Sequence, residues 1–184
     1  RVQDKGLENI PEKGPAVLVC NHVSYVDAML IAGTYHRPIR FVMDRSISEM
    51  KGLKTFFKIA KTIPICSPKA DIEVYENAFK RIKEDLDSGE LICIFPEGKL
   101  TTDGEIDTFK SGIERILKES PVPVVPMALD GLWGSFFSHK DGHALTTRPR
   151  RFWSKVTLTA APLQSAETAT AQSLEQSVKA LLKT

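Results

Sequence analysis

No stretch of this 184-residue chain approaches the ~18 consecutive apolar residues that a membrane-spanning helix needs. The longest apolar runs, such as Val122 to Leu129, are interrupted by proline and suit buried strands. Cysteine is scarce: Cys20, Cys66 and Cys93 are odd in number and share no metal-type spacing. That excludes a disulfide-stapled scaffold and leads us to expect reduced, buried thiols in a reducing compartment. The opening residues Arg1-Val2-Gln3-Asp4 lack the basic-then-apolar pattern of a secretory leader. They also lack an initiator Met, so the chain is expected to be a domain of a longer protein. Charge of one sign is not in excess either, since the net charge is +2, and no nucleic-acid partner is expected. Internal repeats are absent.

What is present is ordinary in bulk and uneven in detail. The chain is 42% hydrophobic and 26% charged, which fits one globular domain with a sizeable core. Residues 37–69 are mostly basic where they are charged, and residues 71–90 mostly acidic. Arg148, Arg150, Arg151 and Lys155 form a further basic group. Opposed faces are expected, the basic one suited to an anionic partner. Short apolar runs at 16–20, 39–43, 62–66, 91–95, 122–129 and 156–160 read as strands. Helical spacing of Ile72, Tyr75, Phe79, Ile82 and Leu86 predicts a helix over 71–88, stopped by Gly89. Further helices are expected over 25–32, 48–60, 109–119 and 174–183, with the Ala/Thr/Ser-rich stretch 164–173 as a loose lead into the last. Strands alternating with helices predict an α/β domain, a largely parallel sheet covered by helices.

Two segments carry chemistry. Asn21-His22-Val23-Ser24-Tyr25-Val26-Asp27 follows a buried strand and must turn into a helix within a few residues. His22 then lies at the carboxyl end of a strand, where open α/β sheets place ligands. The positive end of the helix dipole favours a neutral imidazole, the form a base needs. Asp27 can accept the Nδ1 proton, fixing the tautomer and stabilising the imidazolium formed as the base works. A capping box, with Ser24 as N-cap and Asp27 on the first turn, would account for Asp27 without any chemistry. Asn21 and Ser24 are expected to support the pair from behind. The second segment is Phe95-Pro96-Glu97-Gly98-Lys99, which follows the strand at 91–95. If the two strands are parallel, this turn and His22 leave the sheet at the same edge, with Glu97 and Lys99 in one crevice.

Asn-His-x-Ser-x-x-Asp, then Phe-Pro-Glu-Gly, then Val122-Pro-Val-Val-Pro126, resembles the glycerophospholipid acyltransferase family, over residues of about 6–162. The resemblance implies a glycerolipid acyltransferase-like fold and direct acyl transfer from acyl-CoA or acyl-carrier protein, with no permanently bound cofactor. It casts His22 and Asp27 as the catalytic pair, and Glu97, Gly98 and Lys99 as the acceptor-binding turn. Lysophosphatidate enzymes of the family carry Gly-x-x-Phe-Ile-Asp-Arg between these motifs. The matching stretch here is Lys61-Thr62-Ile63-Pro64-Ile65-Cys66-Ser67, with Ser67 where that Arg would be. In that respect the chain is similar to the acyltransferase half of bacterial lysophospholipid transporter–acyltransferases, which act on 2-acylglycerophosphoethanolamine. The expected acceptor is therefore lysophosphatidylethanolamine, with a transporter domain fused or associated and a place on the cytoplasmic side of the inner membrane. Lysophosphatidate is the alternative acceptor. Thioester hydrolysis and a catalytically idle lipid-binding module are the rival readings.

Lipid substrates call for a membrane surface. Lys51, Lys54, Lys58 and Lys61 fall on one stripe of a helical wheel, and Met50, Leu53, Phe56, Phe57 and Ala60 cover much of the remainder. That is the pattern of a helix lying on an anionic surface, although a helix packed on the sheet with solvated lysines reads the same way. Trp133, Phe136, Phe137, Phe152 and Trp153 are expected to serve as core or acyl-chain lining. His139-x-Asp141-x-His143 is read as a solvated loop, and no metal is expected.

Overall fold

The computed structural model describes residues 2–24, 26–48, 61–134 and 155–183. Its strands are β1 (Val2–Lys5), β2 (Ala16–Cys20), β3 (Ile39–Asp44), β4 (Ile63–Ile65), β5 (Leu91–Ile94), β6 (Val124–Asp130) and β7 (Val156–Ala160). The helices are α1 (Asp27–Thr34), α2 (Arg45–Ser48), α3 (Ile72–Asp87), α4 (Gly112–Glu119) and α5 (Ala171–Leu181), with a 3-10 turn at Leu7–Asn9. The strands form one sheet in the order β1-β7-β6-β2-β5-β3-β4. Every neighbouring pair is parallel except β6 and β7. The protein is an α/β domain whose sheet is largely parallel, as expected, with β1 and β7 running against the rest.

Both faces of the sheet are covered, which is why its central strands are unbroken apolar runs rather than alternating ones. All five residues of β2 are fully buried. One face packs Leu18, Phe41, Cys93 and Met127 against Ala28 and Ile31 of α1. The other packs Val17, Val19, Ile92 and Ile94 against Phe79, Ile82 and Leu86 of α3, Ile113 and Ile116 of α4, and Leu174 and Val178 of α5. Each such side chain contributes roughly 1.5–3 kcal/mol by leaving water.

Several expectations need correction. β1 escaped notice because an edge strand reading Val-Gln-Asp-Lys has no apolar run. Helix α1 begins at Asp27 and ends at Thr34. The stretch 164–173 is not a loose lead. Gln164 exchanges two backbone hydrogen bonds with Val124, and Thr170 and Ser173 form a reciprocal capping box that starts α5. Cys66 is half-buried, while Cys20 and Cys93 are buried; all three are free thiols. Among the described residues, the basic and acidic segments are not kept apart. They meet in ion pairs between Arg40 and Glu90 and between Arg45 and Asp71. The helix expected over 48–60, the aromatic residues Phe136, Phe137, Phe152 and Trp153, the arginines 148, 150 and 151, and His139 to His143 lie outside the described residues.

The topology fixes where chemistry can sit. β2 is central, flanked by β5 and β6, and parallel to both. The register pairs Val19 with Ile94 and Cys20 with Met127. The residues following β2 and β5 therefore leave the sheet side by side.

Candidate active site

The exit from β2 is clamped before it turns. Asn21 is 2% exposed. Its side-chain amide donates to the Leu129 carbonyl at 3.0 Å and accepts from the Leu129 amide at 2.8 Å. It thereby extends the pairing of β2 with β6 by one residue and sets the direction in which His22 leaves the sheet.

His22 and Asp27 meet as expected. Nδ1 of the imidazole lies 2.9 Å from Asp27 Oδ2. The same oxygen accepts the backbone N–H groups of Val23 at 2.7 Å and Ser24 at 2.9 Å. The expected capping box is not formed: the N-cap of α1 is Val26, without a side-chain cap, and Asp27, the first helical residue, instead closes the preceding turn and holds His22 with one oxygen. Ser24 is fully buried and its hydroxyl accepts from the Val26 amide at 3.1 Å, completing the turn. Asp27 is itself fully buried, and among the described residues its Oδ1 has no hydrogen-bond partner. The carboxylate charge is therefore held in a low-dielectric setting beside the ring. With Nδ1–H donated to Asp27, the unshared pair lies on Nε2, and the His22 side chain remains 16% exposed.

The turn after β5 wraps this imidazole. The Phe95 ring stacks on the imidazole with centroids 4.2 Å apart and planes 19° from parallel. Glu97 is only 2% exposed. Its Oε1 accepts the His22 backbone N–H at 2.7 Å, and its Oε2 accepts the Asp107 N–H at 2.9 Å. Burial pushes the Glu97 carboxyl above the usual glutamate range, and the Asp107 and His22 amides pull the other way. Gly98 stands at φ +68°, a conformation that disfavours any Cβ; an added Cβ would also meet the end of the flexible Lys110 side chain. Lys99 is 63% exposed, and its ammonium pairs with Asp107 Oδ2 at 2.7 Å. Its ammonium is raised by that hydrogen bond first, then by the Asp107 charge.

Three participants were not singled out from sequence. Thr101 donates its N–H to the His22 carbonyl at 3.0 Å. Its buried hydroxyl organises the 101–105 turn by donating to the Glu105 carbonyl at 2.8 Å and accepting from the Gly104 N–H at 3.0 Å. Asp107 ties Glu97 to Lys99. Gly104, at φ +91°, lets the loop lie against Trp133; a Cβ there would stand 2.7 Å from the indole. The turn composition of Thr-Thr-Asp-Gly signals a tight loop, but nothing in it signals that the loop reaches His22.

A sulfur nucleophile is disfavoured. Burial first, then the neighbouring Cys93, Asp27 and Glu97, push the Cys20 thiol well up, and burial does the same to Cys93. Among the described residues no cluster of three or more His, Cys, Asp or Glu side chains could hold a metal ion. What the site offers is a partly exposed imidazole with a buried carboxyl group behind it, an arrangement suited to taking a proton from a hydroxyl.

Comparison with known proteins bears on the same segments. The family model described as Acyltransferase matches residues 1–130. The 1-acyl-sn-glycerol-3-phosphate acyltransferase of Pseudomonas aeruginosa is 29% identical over 128 residues, covering 70% of this chain and 49% of that protein. Chloroplastic 1-acyl-sn-glycerol-3-phosphate acyltransferase LPAT1 of Arabidopsis thaliana is 28% identical over 134 residues, covering 71% and 36%. Tafazzin of Drosophila melanogaster is 31% identical over 133 residues, covering 66% and 34%. The matched stretch spans about a third to a half of these relatives' length. Among solved structures, the 1-acyl-sn-glycerophosphate (LPA) acyltransferase PlsC of Thermotoga maritima superposes with a TM-score of 0.75 at 22% identity. That match covers 99% of this chain and 70% of the other, so the two share a fold.

Proposed function

The chain belongs to the acyltransferase family, and on that premise we propose that it moves a fatty acyl group from a thioester carrier to the free hydroxyl of a lysoglycerophospholipid. The observation that carries this reading is the 2.9 Å contact between His22 Nδ1 and buried Asp27. His22 Nε2 takes the proton of the acceptor hydroxyl as its oxygen attacks the thioester carbonyl. Asp27 stabilises the imidazolium. The tetrahedral intermediate expels the carrier thiolate, and the imidazolium returns its proton to that sulfur. No covalent acyl-enzyme is required, in keeping with the raised Cys20 and Cys93 thiols. The donor is acyl-CoA or acyl-carrier protein. The acceptor is a membrane lipid, so the domain works at a membrane surface. No helix among the described residues is long and apolar enough to cross one.

For the headgroup, the relatives' names favour lysophosphatidate over lysophosphatidylethanolamine, the acceptor expected from Ser67. The second reading keeps one specific support. The Ser67 carbonyl and hydroxyl are engaged in the turn into α3, and both Lys99 and Arg45 are engaged with carboxylates. A bidentate guanidinium for a dianionic phosphate is thus not supplied at Ser67. Labelled acyl donor offered to an equal mixture of the two lysolipids decides between them. Label mainly in phosphatidate is expected. Label mainly in phosphatidylethanolamine would restore the second reading, and label released as free fatty acid would replace transfer by hydrolysis.

A further inference from the structure

We propose that Glu97 is a positioning residue for the base: its carboxylate bridges the backbone amides of His22 and Asp107 and so fixes where the imidazole stands, rather than contacting the acceptor. This rests on the acyl-transfer reading and deepens it. The Phe-Pro-Glu-Gly turn was expected to bind the acceptor through Glu97. The geometry assigns that carboxylate elsewhere. Each oxygen already accepts one backbone N–H, at 2.7 Å from His22 and 2.9 Å from Asp107. With 2% of the residue exposed, little of it is left for a lipid hydroxyl to reach.

The bridge is part of a larger cradle. His22 is held at its N–H by Glu97, at its carbonyl by the Thr101 N–H, at Nδ1 by Asp27, and on its ring face by Phe95. Three of these four holds come from the single segment 95–101. That segment is closed on itself by Gly98 N–H to the Phe95 carbonyl and tied to the chain before α4 by Lys110 N–H to the Pro96 carbonyl. Only a carboxylate suits the bridge. A glutamine offers one acceptor oxygen and one amide donor, so one of the two backbone N–H groups would face another donor. The groups that feel the Glu97 charge are His22, Asp107, Lys99 and the Cys20 thiol, which burial keeps uncharged. Asp107 and Lys99 neutralise each other at 2.7 Å, which leaves the His22 side as the one Glu97 controls.

Glu97→Gln is the test, read in two ways. In steady-state transfer, kcat is expected to fall about 10²-fold, the effect of a misplaced base, with the KM for the lysolipid nearly unchanged. A raised acceptor KM at unchanged kcat would overturn the proposal and return Glu97 to the acceptor site. Independently of turnover, proton–nitrogen spectra of wild type and variant report the His22 imidazole and the His22 and Asp107 amides. The imidazole signals and at least one of the two amides are expected to shift in Glu97→Gln, with the remaining spectrum preserved. Unshifted His22 signals in a folded variant would overturn the proposal. Should the variant fail to fold, acid titration of wild type is expected to move both amide protons along with the Glu97 carboxyl carbon at one shared midpoint; independent midpoints would overturn it. If wild type transfers no acyl group at all, the acyl-transfer reading fails, and the spectra still decide what Glu97 holds.

Discussion

Asp27 Oδ2 receives three N–H donors, from His22, Val23 and Ser24, and only one of them concerns catalysis. A turn-closing role and an orienting role therefore share one oxygen, and they separate by substitution. Asp27→Asn retains an oxygen acceptor for the turn and loses the charge that stabilises an imidazolium. Activity is expected to drop by about 10²–10⁴-fold, with a smaller loss in melting temperature. A lower melting temperature at unchanged rate would reduce Asp27 to a brace of the turn. Glu97 gives a different signature, in stability against pH. Its folded carboxyl is raised by burial, so in acid it is neutral in both states and costs nothing. As pH rises past the ordinary glutamate value the unfolded chain ionises first, and stability falls until the raised folded value is passed. The stability of wild type minus that of Glu97→Gln is expected to decline across that window and then level, as followed by denaturant unfolding at several pH values. A difference that grows with pH would mean the two amide bonds outweigh burial. At this scale the sequence was legible where residues sit next to each other. His22, Ser24 and Asp27 lie within one strand-to-helix turn, and their local spacing sets the contacts among them, whereas Asn21 is held across the sheet by Leu129. Thr101, Asp107 and the stacking of Phe95 were not legible, because they depend on how two strand exits pack in space.

The strands of the sheet interior could be read because both their faces are buried, so that β2 and β5 are apolar at every position. The edge strand β1 could not, since its half-exposed Val-Gln-Asp-Lys carries no apolar pattern. Helix α3 was found within a residue at each end, through its periodic Ile, Phe and Leu and the Gly89 stop at φ +83°. Helix α5 starts three residues before its expected place. An Ala/Thr/Ser composition conceals the capping box, in which Thr170 accepts from the Ser173 amide and Ser173 from the Thr170 amide. Thr170→Ala is expected to cost about 1 kcal/mol of stability, seen in denaturant unfolding, while leaving acyl transfer intact. The cap is formed with Ser173 and shares none of the hydrogen bonds of His22, Asp27 or Glu97. Helix α4 starts at Gly112 rather than at 109. The Phe109 N–H is taken by Glu175 of α5 at 3.0 Å, and its ring is buried in the core, so an apolar residue before the helix reads as part of it.

For the whole molecule, the parallel sheet is what makes the site possible. β2 and β5 are sequence-distant but adjacent and co-directional, so two short segments meet at one edge, one carrying His22 and the other holding it. The opposed charge faces expected from composition are tied together by Arg40–Glu90 and Arg45–Asp71. A linear charge count is blind to which segments pack side by side. The chain belongs to the acyltransferase family, and it accounts for about a third to a half of its relatives' length. The central claim is that His22 is the base that deprotonates the acceptor. Its most direct test is the turnover of His22→Ala with lysophosphatidate and a labelled acyl thioester, in protein shown by circular dichroism and melting to be folded. The expected result is a loss of at least ~10²–10⁴-fold in kcat, with the fold retained because the backbone bonds of residue 22 to Glu97 and Thr101 survive the substitution. Wild-type-like turnover in that folded variant would contradict it.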